Sequence, residues 1–167
     1  MVELRFRGRV VTRDRALVMA IVNRTPDSFY DKGATFSGEK AMAAVALAID
    51  EGADIVDIGG VKAGPGPLVD QQEEVSRVVS FVAAVRSRFP EVIISVDTWR
   101  AEVGRLACAE GADLLNDTWE TVDPALPEVA AEFGAGYVCS HTGGASPRTR
   151  PFRVRYADPV RSVIEET

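Results

Sequence analysis

Five polar residues, Asn23, Asp57, Asp97, Asn116 and His141, each stand where a short apolar run stops. The runs are LVMAIVN, DIVDIGG, VIISVD, DLLND and GYVCSH. Carboxylates, amides and imidazoles accept and donate hydrogen bonds, move protons and hold hard cations. Each run is too short for a helix and reads as a buried strand of a parallel sheet. α/β proteins place their ligands at the C-terminal ends of such strands. Asp and Asn also favour strand ends and helix caps for local reasons, so one such residue carries no argument. Five in succession do, because they converge on one mouth if the sheet closes into a barrel.

The connecting loops widen the inventory. Loop one carries Asn23, Thr25, Asp27 and Ser28, hard oxygen donors suited to Mg²⁺ or to a metal bound by diphosphate. Loop two, GGVKAGPG over residues 59–66, is permissive enough to fold over a ligand. Its Lys62 lacks the glycine spacing and the following Ser or Thr of a Walker A loop. Asp97 and Asn116 can offer acceptors and a donor to a flat heterocycle with an aminopyrimidine edge. His141 precedes Gly143, Gly144 and four arginines, Arg148, Arg150, Arg153 and Arg155. Those arginines either hold phosphate or form a solvated rim. His141 is either a satisfied core residue or a catalytic group at a strand end.

The elements that must position these residues alternate along the chain. Residues 1–16 read as a hairpin, in which LRFRGRVV alternates apolar residues with Arg, and Thr12-Arg13-Asp14-Arg15 is expected to turn. From residue 17 onward strand and helix follow one another. Ser37 is the expected cap of a helix bearing Ala41, Ala44, Val45, Ala48 and Ile49. Asp70 and Glu73 suggest a capping box before a stripe of Val75, Val78, Val79, Val82 and Val85. Thr98, Asp123-Pro124 and Asp158-Pro159 are the expected starts of three more helices. The segment EGADIVD at 51–57 recurs as EGADLLN at 110–116, with a weaker echo, EFGAGYV, at 132–138. Each reads as a helix end, a left-handed Gly and a buried strand.

Such alternation implies right-handed βαβ crossovers and a parallel sheet. A dinucleotide-binding sheet should carry Gly-x-Gly-x-x-Gly after its first strand, and Asn23-Arg-Thr-Pro-Asp-Ser does not. The expected architecture is therefore a (β/α)8 barrel, which typically needs about 250 residues. The 167 residues are expected to hold the hairpin and about five βα units as one incomplete barrel domain. Val56, Ile93 and Leu114 are expected to lack facing partners. Two exposed sheet edges are expected to recruit a homodimer mate or another partner, or to continue in a longer polypeptide.

Composition narrows the class. A net charge of −6 argues against a general nucleic-acid binder. No apolar run approaches the roughly 18 residues of a membrane span, and the N-terminus lacks a signal-peptide core. Cys108 and Cys139 read as buried thiols, which fits a reducing cytoplasm.

NRTPDSF after an apolar strand, DIGG followed by PG, SVDT, a strand ending in ND, and HTGG occur in this order. Together they resemble the dihydropteroate synthase family across nearly the whole chain. That resemblance implies a (β/α)8 barrel joining p-aminobenzoate to 6-hydroxymethyl-7,8-dihydropterin diphosphate in folate biosynthesis. It implies that Asn23 helps place Mg²⁺ and the diphosphate, and that Asp27 stabilises positive charge on the pterin methylene. Asp97, Asn116 and Asp57 would hold the pterin, and Lys62, Pro65 and Gly66 would belong to the p-aminobenzoate loop.

Two departures matter. The family's loop two usually reads GGESTRPG, and here Glu, Ser, Thr and Arg are replaced by Val61, Lys62, Ala63 and Gly64. Lys62 keeps a cation without the planar fork of a guanidinium. The family's later strands supply another pterin-holding Asp, a Lys over the ring and an Arg-x-His pair, none of which is expected within these residues. The pattern resembles the divergent second synthase copy of some actinobacteria. Three readings follow: a synthase, a non-synthase paralogue keeping the pterin pocket, or an incomplete barrel acting as an assembly partner.

Overall fold

Five parallel strands form the sheet, and their order across it is their order in the chain: β3 (Met19–Asn23), β4 (Ile55–Gly59), β5 (Ile93–Asp97), β6 (Leu114–Asp117) and β7 (Gly136–Cys139). A doubly wound sheet must reverse direction once; this one never does. With right-handed crossovers, all the connecting helices then fall on one side, as in a barrel wall. The computed structural model describes residues 2–25, 38–143, 145–149 and 154–166. Asp27, Ser28, Ser37, Gly144, Arg150 and Arg153 lie outside the described residues.

Alternation along each strand divides the side chains between two faces. Val22, Val56, Ile58, Ile94, Val96 and Leu115 turn toward the helices α1 (Gly38–Asp50), α2 (Gln71–Arg88), α3 (Ala101–Ala109) and α4 (Leu126–Phe133). There they pack against Val45, Val78, Val82, Val85, Ala107, Leu126 and Val129. Burying each of the Val, Ile and Leu side chains contributes about 1.5–3 kcal/mol. The opposite face begins with Ile55, Ile93 and Leu114, covered by Phe6 of the hairpin.

That hairpin pairs β1 (Val2–Phe6) with β2 (Arg9–Arg13), and its turn is Arg7-Gly8, not the expected 12–15 segment. Phe6 opposes Arg9, and Arg7 and Gly8 both have positive φ, which makes a two-residue type I′ turn. The alternating arginines act as anchors. Arg7 donates to the Ala112 carbonyl at 3.0 Å, and Arg13 and Arg15 pair with Asp54. Arg9 and Arg86 both reach Asp113. Val56, Ile93 and Leu114 are 0%, 4% and 6% exposed, contrary to expectation. Val56 faces the helices; Phe6 covers the other two. The uncovered apolar residues of the inner face are instead Ile21, at 69% exposure, and in part Met19 and Val138.

Several local expectations shift. On α2 the buried face is Glu74, Arg77, Val78, Phe81, Val82 and Val85, so two charged residues replace Val75 and Val79. Asp70 caps Glu73 as expected, but the Glu73 carboxylate turns to Arg77 and leaves the capping box half made. Thr98 does not open α3; Asp123 caps it through the Ala101 amide at 2.8 Å. Helix α4 starts at Leu126, two residues beyond Pro124. Asp158 caps α5 (Pro159–Glu166) as expected. Gly52, Gly111 and Gly134 adopt positive φ at the three helix ends of the repeat. No helix among the described residues is long and apolar enough to cross a membrane. Cys108 is buried and Cys139 partly so, and burial pushes the Cys108 thiol up to about 11.

Candidate functional site

Strand register assembles the site. Asn23 pairs with Gly59, Gly59 with Asp97, and Asp97 with Asn116. These four therefore form one row across neighbouring strands on the inner face. Asp57 and Ser95 form the row beneath, and Ile55 and Ile93 the apolar floor. Asp57 does not end its strand: Ile58 and Gly59 continue the pairing with Val96 and Asp97, so Asp57 sits one layer deeper than expected.

Above the floor lies a cleft of about 500 Å³, lined by Ile21, Asn23, Thr25, Asp57, Lys62, Ala63, Gly64, Asp97, Asn116 and Thr118. That volume suits a small heterocycle. Gly59 keeps its centre open, since a Cβ there would lie 3.1 Å from Asn23 Oδ1 and 3.5 Å from Asp97 Oδ2.

Hydrogen bonds orient the acids. Ser95 Oγ donates to Asp57 Oδ1 at 2.5 Å, and Asn116 Nδ2 reaches Asp57 Oδ2 at 3.4 Å. Thr118 Oγ1 donates to Asp97 Oδ1 at 3.2 Å. Burial, followed by the neighbouring Asp57 charge, pushes the Asp97 carboxyl up to about 7, and burial also raises Asp57. Two partly desolvated carboxyl groups in one cleft can accept hydrogen bonds from an amine-rich ligand. Ser95 and Thr118 were missed in the sequence. Their signal was present, because Ser95 lies two residues before Asp97 on β5 and Thr118 two residues after Asn116, just past the end of β6.

A second network stands behind the cleft. Glu74, fully buried, accepts from Thr98 Oγ1 at 2.6 Å and pairs with Arg100. Burial raises its pKa despite those two partners. Arg77 donates to the Gly60 carbonyl at 2.8 Å and Arg100 to the Val69 carbonyl at 2.8 Å, so both ends of loop two are held. Val61 is 4% exposed, tucked under the loop.

The other expected site residues separate. Lys62 lines the cleft and also a neighbouring cavity of about 300 Å³ that includes Thr25, Gly66, Arg77 and Arg148. Pro65 is exposed and borders neither. His141 stands two residues beyond β7 and away from the cleft. Its Nε2 is 2.9 Å from Ser162 Oγ, and its ring lies 5.2 Å from that of Tyr156. Arg155 is exposed, in keeping with a solvated rim. Asp27 lies outside the described residues. For Mg²⁺, the described donors are the Asn23 amide oxygen and the Thr25 hydroxyl, and no cluster of three His, Cys, Asp or Glu occurs among the described residues. Such a neutral set suits a Mg²⁺ held mainly by waters and phosphate oxygens.

A singly wound parallel sheet with a polar cleft at its C-terminal edge defines a barrel protein of the (β/α)8 type with a small-molecule site. Residues 19–167 match the family model of pterin binding enzymes, and the chain belongs to that family. It is 65% identical over 158 residues to a Mycobacterium tuberculosis protein named inactive dihydropteroate synthase 2, covering 95% of this chain and 50% of that protein. It is 38% identical over 136 residues to the dihydropteroate synthase of Streptococcus pyogenes, covering 80% of this chain and 51% of the synthase. The fold matches a crystal structure of the Yersinia pestis dihydropteroate synthase with a sulfonamide drug, with TM-score 0.83 and 34% identity. That match covers 98% of this chain and 58% of the Yersinia chain. The chain thus spans about half the length of the curated relatives it matches.

Proposed function

We propose that this protein binds a reduced pterin in the cleft and is a non-synthase paralogue, without productive p-aminobenzoate binding. One observation carries the reading. The row of Asn23, Asp97 and Asn116 above Asp57 is assembled and oriented, while the adjacent loop offers no side-chain fork. Asp97 and Asp57 are the acceptors for the amino and ring N–H groups of the pterin, and Asn116 adds an amide. Asn23 would help hold Mg²⁺ with the diphosphate of a pterin diphosphate, and the metal would neutralise charge on that diphosphate. Under the condensation reading alone, Asp27 of loop one would stabilise the positive charge that develops on the pterin methylene as diphosphate leaves.

In loop two, the position where the family has Glu holds buried Val61, and Ala63 and Gly64 stand where Thr and Arg would serve p-aminobenzoate. Lys62 alone presents a point charge, which does not reproduce a bidentate carboxylate contact. The name of the Mycobacterium tuberculosis relative supports the same reading.

The second reading, condensation of the pterin diphosphate with p-aminobenzoate, is favoured by the retained Asn23, Asp97 and Asn116. Assembly as a homodimer, or with a partner over the inner face, belongs to either reading, and exposed Ile21 supports it. Calorimetry decides between them. Titration with 6-hydroxymethylpterin diphosphate and Mg²⁺ should give binding, and p-aminobenzoate added afterwards should give none. Heat from both ligands, with release of diphosphate, supports the synthase. Heat from neither leaves only an assembly role.

A further inference from the structure

Loop two contains two glycines and two prolines between Gly60 and Val69 and reaches over the cleft with Lys62, Ala63 and Gly64. Arg77 and Arg100 hold its two ends. Its middle is held from another part of the chain. Arg148, in the connection between β7 and α5, donates through Nη1 to the Pro67 carbonyl and through Nη2 to the Gly64 carbonyl at 3.5 Å. These contacts join positions 81 and 84 residues apart.

Two further features show that the loop is shaped around this guanidinium. A Cβ at Gly66 would lie 2.7 Å from Arg148 Nη2, so a side chain there would displace the guanidinium from the place it fills. Arg148 itself has φ 65°, a left-handed conformation that costs a non-glycine residue free energy. Local strain is accepted where it delivers the side chain. Two carbonyls at this spacing also suit a fork of N–H donors and not a single ammonium.

We propose that Arg148 is a positioning residue for loop two: its guanidinium straps the loop backbone and sets Lys62, Ala63 and Gly64 against the cleft. Both bonds of the strap are to loop backbone, so they do not depend on the side chains of Lys62 and Ala63. Its effect on ligand affinity rests on the reading of the cleft as the pterin site; its effect on the loop does not.

Backbone ¹⁵N order parameters of Lys62, Ala63, Gly64, Gly66 and Leu68 test the strap, in the protein as it is and in Arg148→Ala, Arg148→Lys and Gly66→Ala. Rigid values of about 0.85 should fall below about 0.6 in Arg148→Ala, while β5 stays rigid. Gly66→Ala should loosen the same amides by displacing the guanidinium, Arg148→Lys should rescue only part, and the double variant should be no looser than Arg148→Ala. If the ordered loop is then populated about a tenth of the time, affinity for 6-hydroxymethylpterin falls about tenfold. An unchanged loop in Arg148→Ala, or effects of the two single variants that add, would overturn the proposal. A loop that loosens in a protein that binds no pterin keeps the strap and removes only the pterin reading.

Discussion

Asp97→Asn should make the protein more stable at neutral pH while weakening its hold on a pterin. Asp97 is raised from 3.8 to about 7, first by burial and then by the charge on Asp57. At about 1.4 kcal/mol per pH unit, that gap makes the ionised side chain cost the fold about 4 kcal/mol. The sign follows from the raised value. The folded state binds the proton more tightly than the unfolded chain does, so this stability is fully present below pH 3.8 and lost as pH rises to about 7. An amide never ionises, and its Oδ1 keeps the bond from Thr118.

Relative to the parent, Asp97→Asn should therefore be equally stable near pH 3 and more stable by about 2–4 kcal/mol at pH 8. Urea unfolding at both pH values reads this difference. The same change replaces an acceptor by a group that is half donor. Losing a charge-assisted bond costs about 1.5–3 kcal/mol, so calorimetry with 6-hydroxymethylpterin should show a ten- to hundredfold weaker complex. Parallel pH profiles for variant and parent would refute the electrostatic reasoning. Unchanged affinity would refute the assignment of Asp97 to the pterin.

Removing Arg100 as Arg100→Met leaves Glu74 buried without its cation, which should cost about 3–5 kcal/mol in urea unfolding. That loss should shrink toward low pH, where Glu74 takes up a proton, and a pH-independent loss would point to packing alone. Gly136→Ala places a Cβ 2.5 Å from Phe6 Cε1 and 2.7 Å from Leu114 Cδ1. It should cost about 1–3 kcal/mol by thermal melting, and markedly less in a Phe6→Ala background; equal costs would show that the hairpin does not seat there. Ala63→Thr with Gly64→Arg, leaving buried Val61 in place, should raise p-aminobenzoate affinity about tenfold by calorimetry. No gain would locate the deficit outside loop two.

Much of this was legible in the sequence because a parallel strand announces itself by an uninterrupted apolar run. The five runs became five strands, and three of the five polar residues at their ends share one row. The repeated EGAD was legible as a helix end, but the work of its aspartates was not. Asp54 accepts the Val18 amide at 2.9 Å and Asp113 the Ile94 amide at 3.0 Å, and both hold arginines of the hairpin. Such contacts span long sequence separations that no local pattern encodes. The turn at Arg7-Gly8 was hidden by the competing cluster around Asp14, although Gly8 permits a positive φ that residues 12–15 do not favour. His141 shows the opposite failure. It is placed like the other four along the sequence, yet its strand ends at Cys139, and two further residues carry it toward α5.

The two halves of the site rest on different physical supports, and this bears on which half can change. Asn23, Asp97 and Asn116 belong to strands whose alternate residues form the main core. A one-residue slip in any of these strands would turn its apolar side chains away from the helices, so the row of Asn23, Asp97 and Asn116 is fixed by the same register that builds the core. Loop two is held through backbone carbonyls at Gly60, Gly64, Pro67 and Val69 by Arg77, Arg148 and Arg100. Substituting Lys62, Ala63 or Gly64 breaks none of those bonds, and Lys62 and Ala63 are exposed. Val61, which is buried, resists a polar replacement. On the proposed reading, p-aminobenzoate recognition depended on the part of the site that the fold leaves free to vary. Loss of the second substrate with retention of the first is then the least costly route of divergence open to this barrel.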